Sequence, residues 1–213
     1  MSVRPVGSVG EETAKSIKRV AVELIAEQGF EAMNLRQLAG RVGVKAASLY
    51  NYFSGKQALL QDLLRGVMTE LLEASRAELA GITDPVAQLS TFVSVHIRFH
   101  VDRRNEVVIA TTELRSLDVE GYREIVKLRG AYEKQLFDIL ERGQANGMFE
   151  VPNVKIAAYS IIAALTGVTL WYREGGELER QEIIRLYTDL VLRMAGIADP
   201  AHASVKVKRG GTA

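Results

Sequence analysis

The chain has 213 residues, of which 47% are hydrophobic and 25% charged, with no cysteine and a formal net charge of +1. That length gives one domain or two small ones with chain enough for a real core, and the balance excludes wholesale disorder and a coiled-coil fibre. Without thiols there is no disulfide scaffold, thiolate metal site, iron–sulfur cluster or cysteine nucleophile. No apolar run is read as reaching the ~18–20 residues of a membrane span. The N-terminal MSVRPVGSVGEETAKS lacks the apolar core of a signal peptide, so a soluble, cytoplasmic chain is expected. The near-neutral total hides an asymmetry: residues 1–60 hold 8 Lys/Arg against 5 Asp/Glu, residues 61–196 hold 16 against 20, and the last 17 hold 3 against 1. A basic first quarter on an acidic body points to an anionic partner at the N-terminal part, nucleic acid first.

Helical periodicity dominates, and no stretch alternates apolar and polar residues long enough for a sheet. Residues 1–10 read as a flexible arm. A first helix is expected from Glu11 to Gln28, with Ile17, Val20, Ala21, Leu24 and Ile25 on one stripe and Gly29 ending it. Asn34 is a good N-cap for a short helix, Leu35 to Val42, stopped by Gly43. A second short segment, Ala46 to Phe53, follows at once, and Ser54 caps a long helix reaching about Ala80. Asp84-Pro85 supplies a cap and an N1 proline for a helix to about Val101. Further helices are expected at 103–117, 119–146 and 152–173, and a last one from Glu179 to Met194. Residues 197–213 read as a disordered basic tail. The architecture is all-α, about nine helices, with residues 11–56 as an N-terminal helix-turn-helix domain and 57–196 as a larger helical domain.

Residues 35–54, LRQLAGRVGVKAASLYNYFS, carry the most information. Two short helices joined by a tight turn cross closely, which needs a small residue (Ala39) and a turn residue that tolerates positive φ (Gly43). Leu38, Val42, Val44 and Leu49 then face the stripe of the first helix. The opposite face shows Lys45, Ala46, Ala47, Tyr50 and Asn51, and such a face fits the major groove of DNA.

With these residues in place, 12–60 resembles the DNA-binding domain of the TetR family of repressors. Gly29-Phe30 is similar to the family's Gly-aromatic junction, LRQLAGRVGV to its second helix and turn, and SLYNYFSGKQALL to the segment that follows. The resemblance implies a ligand-responsive repressor, not an enzyme, with double-stranded DNA, a second copy of the chain and a small-molecule effector as partners and no cofactor. It places Ser48 at a phosphate and Tyr52 at the DNA backbone. Tyr50 faces out beside the inward Leu49/Phe53 pair. Asn51 suits either an adenine edge or a phosphate. Lys56 begins a helix whose N–H groups favour a phosphate. Arg36 joins these candidates, and Ala46 and Ala47 either clear space or touch a thymine methyl. Lys45 stands where the family usually has Ser or Thr as a cap. Losing that cap costs ~1 kcal/mol, though the lysine reaches towards a phosphate instead.

The helix at 152–173 is apolar nearly all round and must be covered on several sides. In the family this helix and the last one pair with their symmetry mates, so a homodimer through these two is expected; the other reading is an internal core helix. His96 and His100 sit four apart but lack a third metal ligand, so no metal is expected and they are read as pocket or interface residues. Candidate effector contacts are Phe99, Ile109, Glu113, Leu114, Tyr132, Leu136, Leu165, Thr169 and Trp171, each equally an ordinary core residue. The stretches VVIATTELRSLD and LTGVTLWYREGGEL loosely resemble the acyl-CoA-sensing branch of the family, which makes Arg103, Arg104 and Arg115 candidates for CoA phosphates. An all-α enzyme such as a hydrolase has no motif behind it, and a DNA-architectural protein without an effector is the remaining alternative.

Overall fold

The computed structural model describes residues 6–197, with side chains from Gly10 on. Among the described residues there is no strand. Ten α-helices run in order: α1 Val6–Gln28, α2 Leu35–Val42, α3 Ala46–Leu49, α4 Lys56–Leu79, α5 Pro85–Asp102, α6 Arg104–Thr112, α7 Val119–Ala145, α8 Val154–Thr166, α9 Val168–Trp171 and α10 Arg180–Met194. A 3-10 turn, Leu114–Ser116, lies between α6 and α7.

The local signals act as their chemistry requires. Asn34 accepts the Gln37 N–H at 2.9 Å, Asp84 accepts the Ala87 N–H at 2.7 Å with Pro85 in the first turn, and Gly29 and Gly43 take φ of 80° and 81°. The first helix starts at Val6, so residues 6–10 are helix rather than arm. Residues 1–5 of the expected arm and 198–213 of the expected tail lie outside the described residues.

Three helices break where periodicity alone predicts continuity. In the 103–117 segment, Glu113 leaves helical geometry (φ −96°, ψ 7°) and its carboxylate accepts the Ser116 hydroxyl at 2.7 Å. The 152–173 segment breaks at Gly167, where the Thr169 hydroxyl donates to Thr166 O at 2.9 Å and Arg104 Nε takes Thr169 O at 2.7 Å. The segment expected at 46–53 keeps one α-turn, because Asn51 and Tyr52 N–H groups bond three residues back, to Ser48 O and Leu49 O. The fourth helix begins after Gly55, whose carbonyl accepts the Leu59 N–H at 3.1 Å, rather than at Ser54.

The described residues form two compact units: residues 6–69 with 105–127, and residues 70–104 with 128–197. In the first unit, Ile17, Leu24, Leu38, Leu49 and Leu59 are buried. The Lys18 ammonium meets Asp62 at 2.5 Å, Arg65 meets Asp62 at 2.9 Å, and Gln61 donates to Glu124 at 2.7 Å, tying α1, α4 and the start of α7 together. In the second unit, α5 packs against α8, α9 and α10. Phe92, Val93, Ile97, Leu136, Leu140, Ile161 and Leu165 form its interior.

One expectation on hydropathy is corrected. By length and composition Val154–Trp171 is apolar enough to cross a membrane, and only 28% of it is buried within the chain. The break at Gly167 divides this stretch into two helices.

Candidate nucleic-acid interface

The turn between α2 and α3 is fixed by backbone bonds that need glycine. Val44 N–H reaches Ala39 O at 3.0 Å and Gly43 N–H reaches Gly40 O at 3.3 Å, the paired 6→1 and 5→2 bonds of a Schellman end. Gly43 supplies the left-handed residue (φ 81°, ψ 27°) that these bonds require. Ala39 and Leu38 are buried on the inner face of α2, and Leu49 is buried on α3. Leu49 thus anchors a helix of a single turn, and its neighbours are turned outward by the 100° per residue of the helix.

Those neighbours are the expected contact residues. Tyr50 is 59% exposed; Arg36, Lys45, Ala47 and Asn51 are exposed, while Ala46, Ser48, Tyr52 and Lys56 are half-buried. Lys45 occupies the N-cap position with extended geometry (φ −69°, ψ 141°) and makes no side-chain capping bond. The Ala46, Ala47 and Ser48 side chains are small, so the backbone of α3 is open to close approach.

Lys56 stands at the first position of α4. Its ammonium donates to Glu31 O at 2.9 Å and lies 4.3 Å from the Phe30 ring centre, a cation–π contact that pins the α1–α2 connection. Phe53, expected as the inward partner of Leu49, is half-buried.

A charge pattern strengthens the face. No Asp or Glu occurs between Glu31 and Asp62, a window that holds Arg36, Arg41, Lys45 and Lys56. Arg41 is spent on a two-pronged pair with Glu27 at 2.7 and 3.0 Å, which holds the Glu27 carboxyl below its usual range. Arg36 and Lys45 carry the positive charge of the outer face. Sequence reading took the charge of the whole first quarter and missed this carboxylate-free window, which is countable without a structure.

The expected effector residues divide between the two units. Ile109, Glu113 and Leu114 belong to the first; the Glu113 carboxylate faces the Phe30 N–H at 3.4 Å and the Ser116 hydroxyl. Phe99, Arg103, Arg104, Tyr132, Leu136, Leu165, Thr169 and Trp171 belong to the second. Tyr132, Leu136, Leu165 and Thr169 are buried there. Trp171 is 47% exposed, its ring parallel to Tyr187 with centroids 6.4 Å apart. Arg103 pairs with Glu70 at 2.5 Å, Arg104 with the Thr169 carbonyl, and Arg115 is exposed. The polar partners of His96, the Tyr132 and Thr166 hydroxyls, were not paired with it from sequence, since they lie 36 and 70 residues away. Among the described residues no group of three His, Cys, Asp or Glu is placed to hold a metal ion.

Comparison with known proteins agrees with this geometry. Residues 17–63 match the family described as "Bacterial regulatory proteins, tetR family", and residues 83–195, just over half the chain, match "Tetracyclin repressor-like, C-terminal domain". The transcriptional repressor KstR2 of Mycolicibacterium smegmatis is 27% identical, over 82% of this chain and 86% of that protein. The fatty acid metabolism regulator protein of Bacillus subtilis is 26% identical, over 71% of this chain and 79% of its own length. The crystal structure of a tetR-family regulatory protein from Rhodococcus RHA1 superposes with a TM-score of 0.83 at 26% identity, covering 88% of this chain and 98% of that one.

Proposed function

The chain belongs to the TetR family of bacterial regulatory proteins, and on that premise we propose that it is a repressor that binds a palindromic operator as a homodimer and is released by a hydrophobic effector. DNA-binding transcriptional regulation, rather than catalysis, is the activity of this family. The observation that carries the reading is the outer face of α3: Tyr50, Asn51, Lys45 and Ala47 lie exposed around a buried Leu49 and are free of carboxylates. A one-turn helix standing proud on such a face enters a major groove about 12 Å wide, where Asn and Lys meet base edges or phosphates. Residues 11–56 carry this activity, and residues 57–196 carry effector binding and dimerisation.

The dimer reading rests on apolar surface. Ile156, Tyr159 and Leu170 on α8–α9, and Leu186 and Leu190 on α10, are exposed, with Ile156 at 66% and Leu170 at 75%. Ile156, Tyr159 and Ala163 follow helical spacing along α8, so they share one face. A contiguous apolar patch of this kind marks an interface, and a two-fold axis makes it self-covering. Two α3 helices related by that axis suit the half-sites of a palindrome, one turn of DNA apart. The same covering explains why an apolar stretch of this length occurs in a chain that acts on DNA in the cytoplasm.

For the effector, an acyl-CoA is the class best supported. The second unit has an apolar interior that includes Phe92, Leu136, Ile161 and Leu165, and a similar protein is named for fatty acid metabolism. Phe99, Tyr132 and Thr169 lie in that unit, with Arg103 and Arg104 at the α5–α6 junction. A ligand that binds the DNA-released state better shifts the balance by its differential affinity, typically ~1–3 kcal/mol. The test is titration of the operator complex with acyl-CoAs of graded chain length, with free CoA and free fatty acids as controls. Chain-length-dependent release by acyl-CoA alone supports the reading. Release by no acyl-CoA overturns the thioester assignment and leaves DNA binding standing.

A further inference from the structure

The face around Leu49 does not rest on the first sixty residues alone. Residues 105–127 belong to the same compact unit as α1, α2 and α3, and their polar groups reach back to it. Just past α6, the Glu113 carboxylate accepts the Ser116 hydroxyl at 2.7 Å through one oxygen and the Phe30 N–H at 3.4 Å through the other. The Ser116 carbonyl in turn accepts the Gln57 side-chain amide at 2.8 Å. Further on, Glu124 accepts the Gln61 amide at 2.7 Å and lies 3.7 Å from Arg65. A Cβ on Gly121 would stand 3.3 Å from Gln61 Cδ, so glycine there lets the first turn of α7 approach α4 closely.

The turn at 113–116 thus holds the α2–α3 pair from both sides in sequence. Phe30 follows Gly29, the left-handed residue that ends α1, and precedes by four residues Asn34, the cap of α2. Gln57 lies in the first turn of α4, directly after Lys56, whose ammonium also returns to this connection at the Glu31 carbonyl. Between the two holds, α3 is a single helical turn with Leu49 as its buried anchor. So short a helix does not fix its own direction; its flanks must. The partner types are determined by chemistry. Ser116 offers a carbonyl, which only accepts, so residue 57 has to donate. Phe30 offers an N–H, which only donates, so residue 113 has to accept.

On the reading that this face binds an operator, we infer that Glu113 and Gln57 are positioning residues for DNA recognition. Through the 113–116 turn they set the direction in which α3 presents Tyr50 and Asn51, and they do so without touching DNA. Both oxygens of Glu113 are engaged within the DNA-binding unit. The working recognition module is therefore discontinuous in sequence, with residues 105–127 as its brace.

The test uses the full chain and two duplexes: the sequence that the wild-type chain selects from a random pool, and a shuffled duplex of the same length. Glu113→Ala and Gln57→Leu should each weaken binding of the selected duplex roughly ten-fold. Binding of the shuffled duplex and the salt slope should stay as in wild type, because no phosphate contact is lost. Glu113→Gln keeps an acceptor oxygen and should restore the ratio between duplexes to within about two-fold of wild type. The double variant Glu113→Ala/Gln57→Leu should lose less than the product of the single losses, since both residues act through one turn. Without DNA, the Gly43 and Val44 N–H groups that close the α2–α3 turn should exchange with solvent roughly ten-fold faster in Glu113→Ala.

A wild-type ratio in both single variants overturns the inference. So does a loss shared equally by the two duplexes, which is the mark of impaired folding, or a Glu113→Gln protein as weak as Glu113→Ala. If only one single variant lowers the ratio, the positioning role stays with that residue and is removed from the other. Should the wild-type chain select no sequence, the operator reading fails. Faster exchange in Glu113→Ala would then still uphold the brace on α2 and α3, and unchanged exchange would remove it as well.

Discussion

Replacing Lys45 by threonine should move stability and DNA affinity in opposite directions. Lys45 has the extended geometry of an N-cap, and its carbonyl accepts the Ser48 N–H at 2.8 Å, yet its side chain caps nothing. A threonine hydroxyl at that position reaches the orphan N–H of the first turn, which is worth ~1 kcal/mol per protomer. For a chain of this size that raises Tm by roughly 2–4 °C. The same change removes an ammonium from the outer face. One phosphate contact contributes a slope of about −0.9 in log K against log salt. In a dimer, losing two should flatten the slope by about 2 and weaken binding at physiological salt. Urea unfolding at fixed protein concentration measures the first effect, and anisotropy titrations of labelled operator across a salt series measure the second. A stabilised variant with unchanged affinity and slope would show that Lys45 does not touch DNA. A destabilised variant would refute the capping argument.

Tyr50→Ala should weaken operator binding at least ten-fold with helicity and unfolding midpoint unchanged, because the ring is 59% exposed and supports no core contact; a Tyr50→Ala protein that binds normally would remove Tyr50 from the interface. Ile156→Glu, on an exposed position, should give a folded monomer by sedimentation rather than an unfolded chain, since the carboxylate is buried only against a partner; a dimer that persists moves the interface elsewhere. Stability should fall as pH drops from about 6.5 towards 4. The unfolded chain takes a proton on His100 near 6.5 and the folded chain only near 4, so the neutral form's advantage, on the order of 3 kcal/mol, is present above that window and lost through it. Urea midpoints at pH 7 and 4.5 check this. His100→Phe should show a flatter profile, and an equal slope in both proteins would assign the acid sensitivity to other groups.

Legibility followed the distance along the chain over which each feature is fixed. The α2–turn–α3 geometry was readable because it is local: Asn34 caps three residues on, and Gly43 closes bonds to Ala39 and Gly40. The outward direction of Tyr50 followed from one buried neighbour, Leu49. The breaks at Glu113 and Gly167 were not readable, because Glu113 answers to Phe30, 83 residues earlier, and Thr169 to Arg104, 65 residues earlier. Lys56 looked like a phosphate ligand from its place at a helix start, and only the folded connection shows its ammonium at the Glu31 carbonyl. The two histidines were visible as a pair, but their burial, and the bonds of His96 to Tyr132 and Thr166, depend on other helices. Trp171 was read as interior from its apolar neighbourhood, whereas helical phase puts it on the exposed side with Tyr187.

The central claim is that the face around Leu49 reads an operator in two symmetric halves. Selection of bound sequences from a random DNA pool by the full chain, followed by affinity measurement across 50–200 mM salt, tests it most directly. The account predicts recovery of an inverted repeat whose half-sites lie one helical turn, ~34–36 Å, or a whole multiple of it apart, bound with steep salt dependence and lost by Tyr50→Ala. Recovery of an asymmetric site, or of no enriched sequence at all, would contradict it.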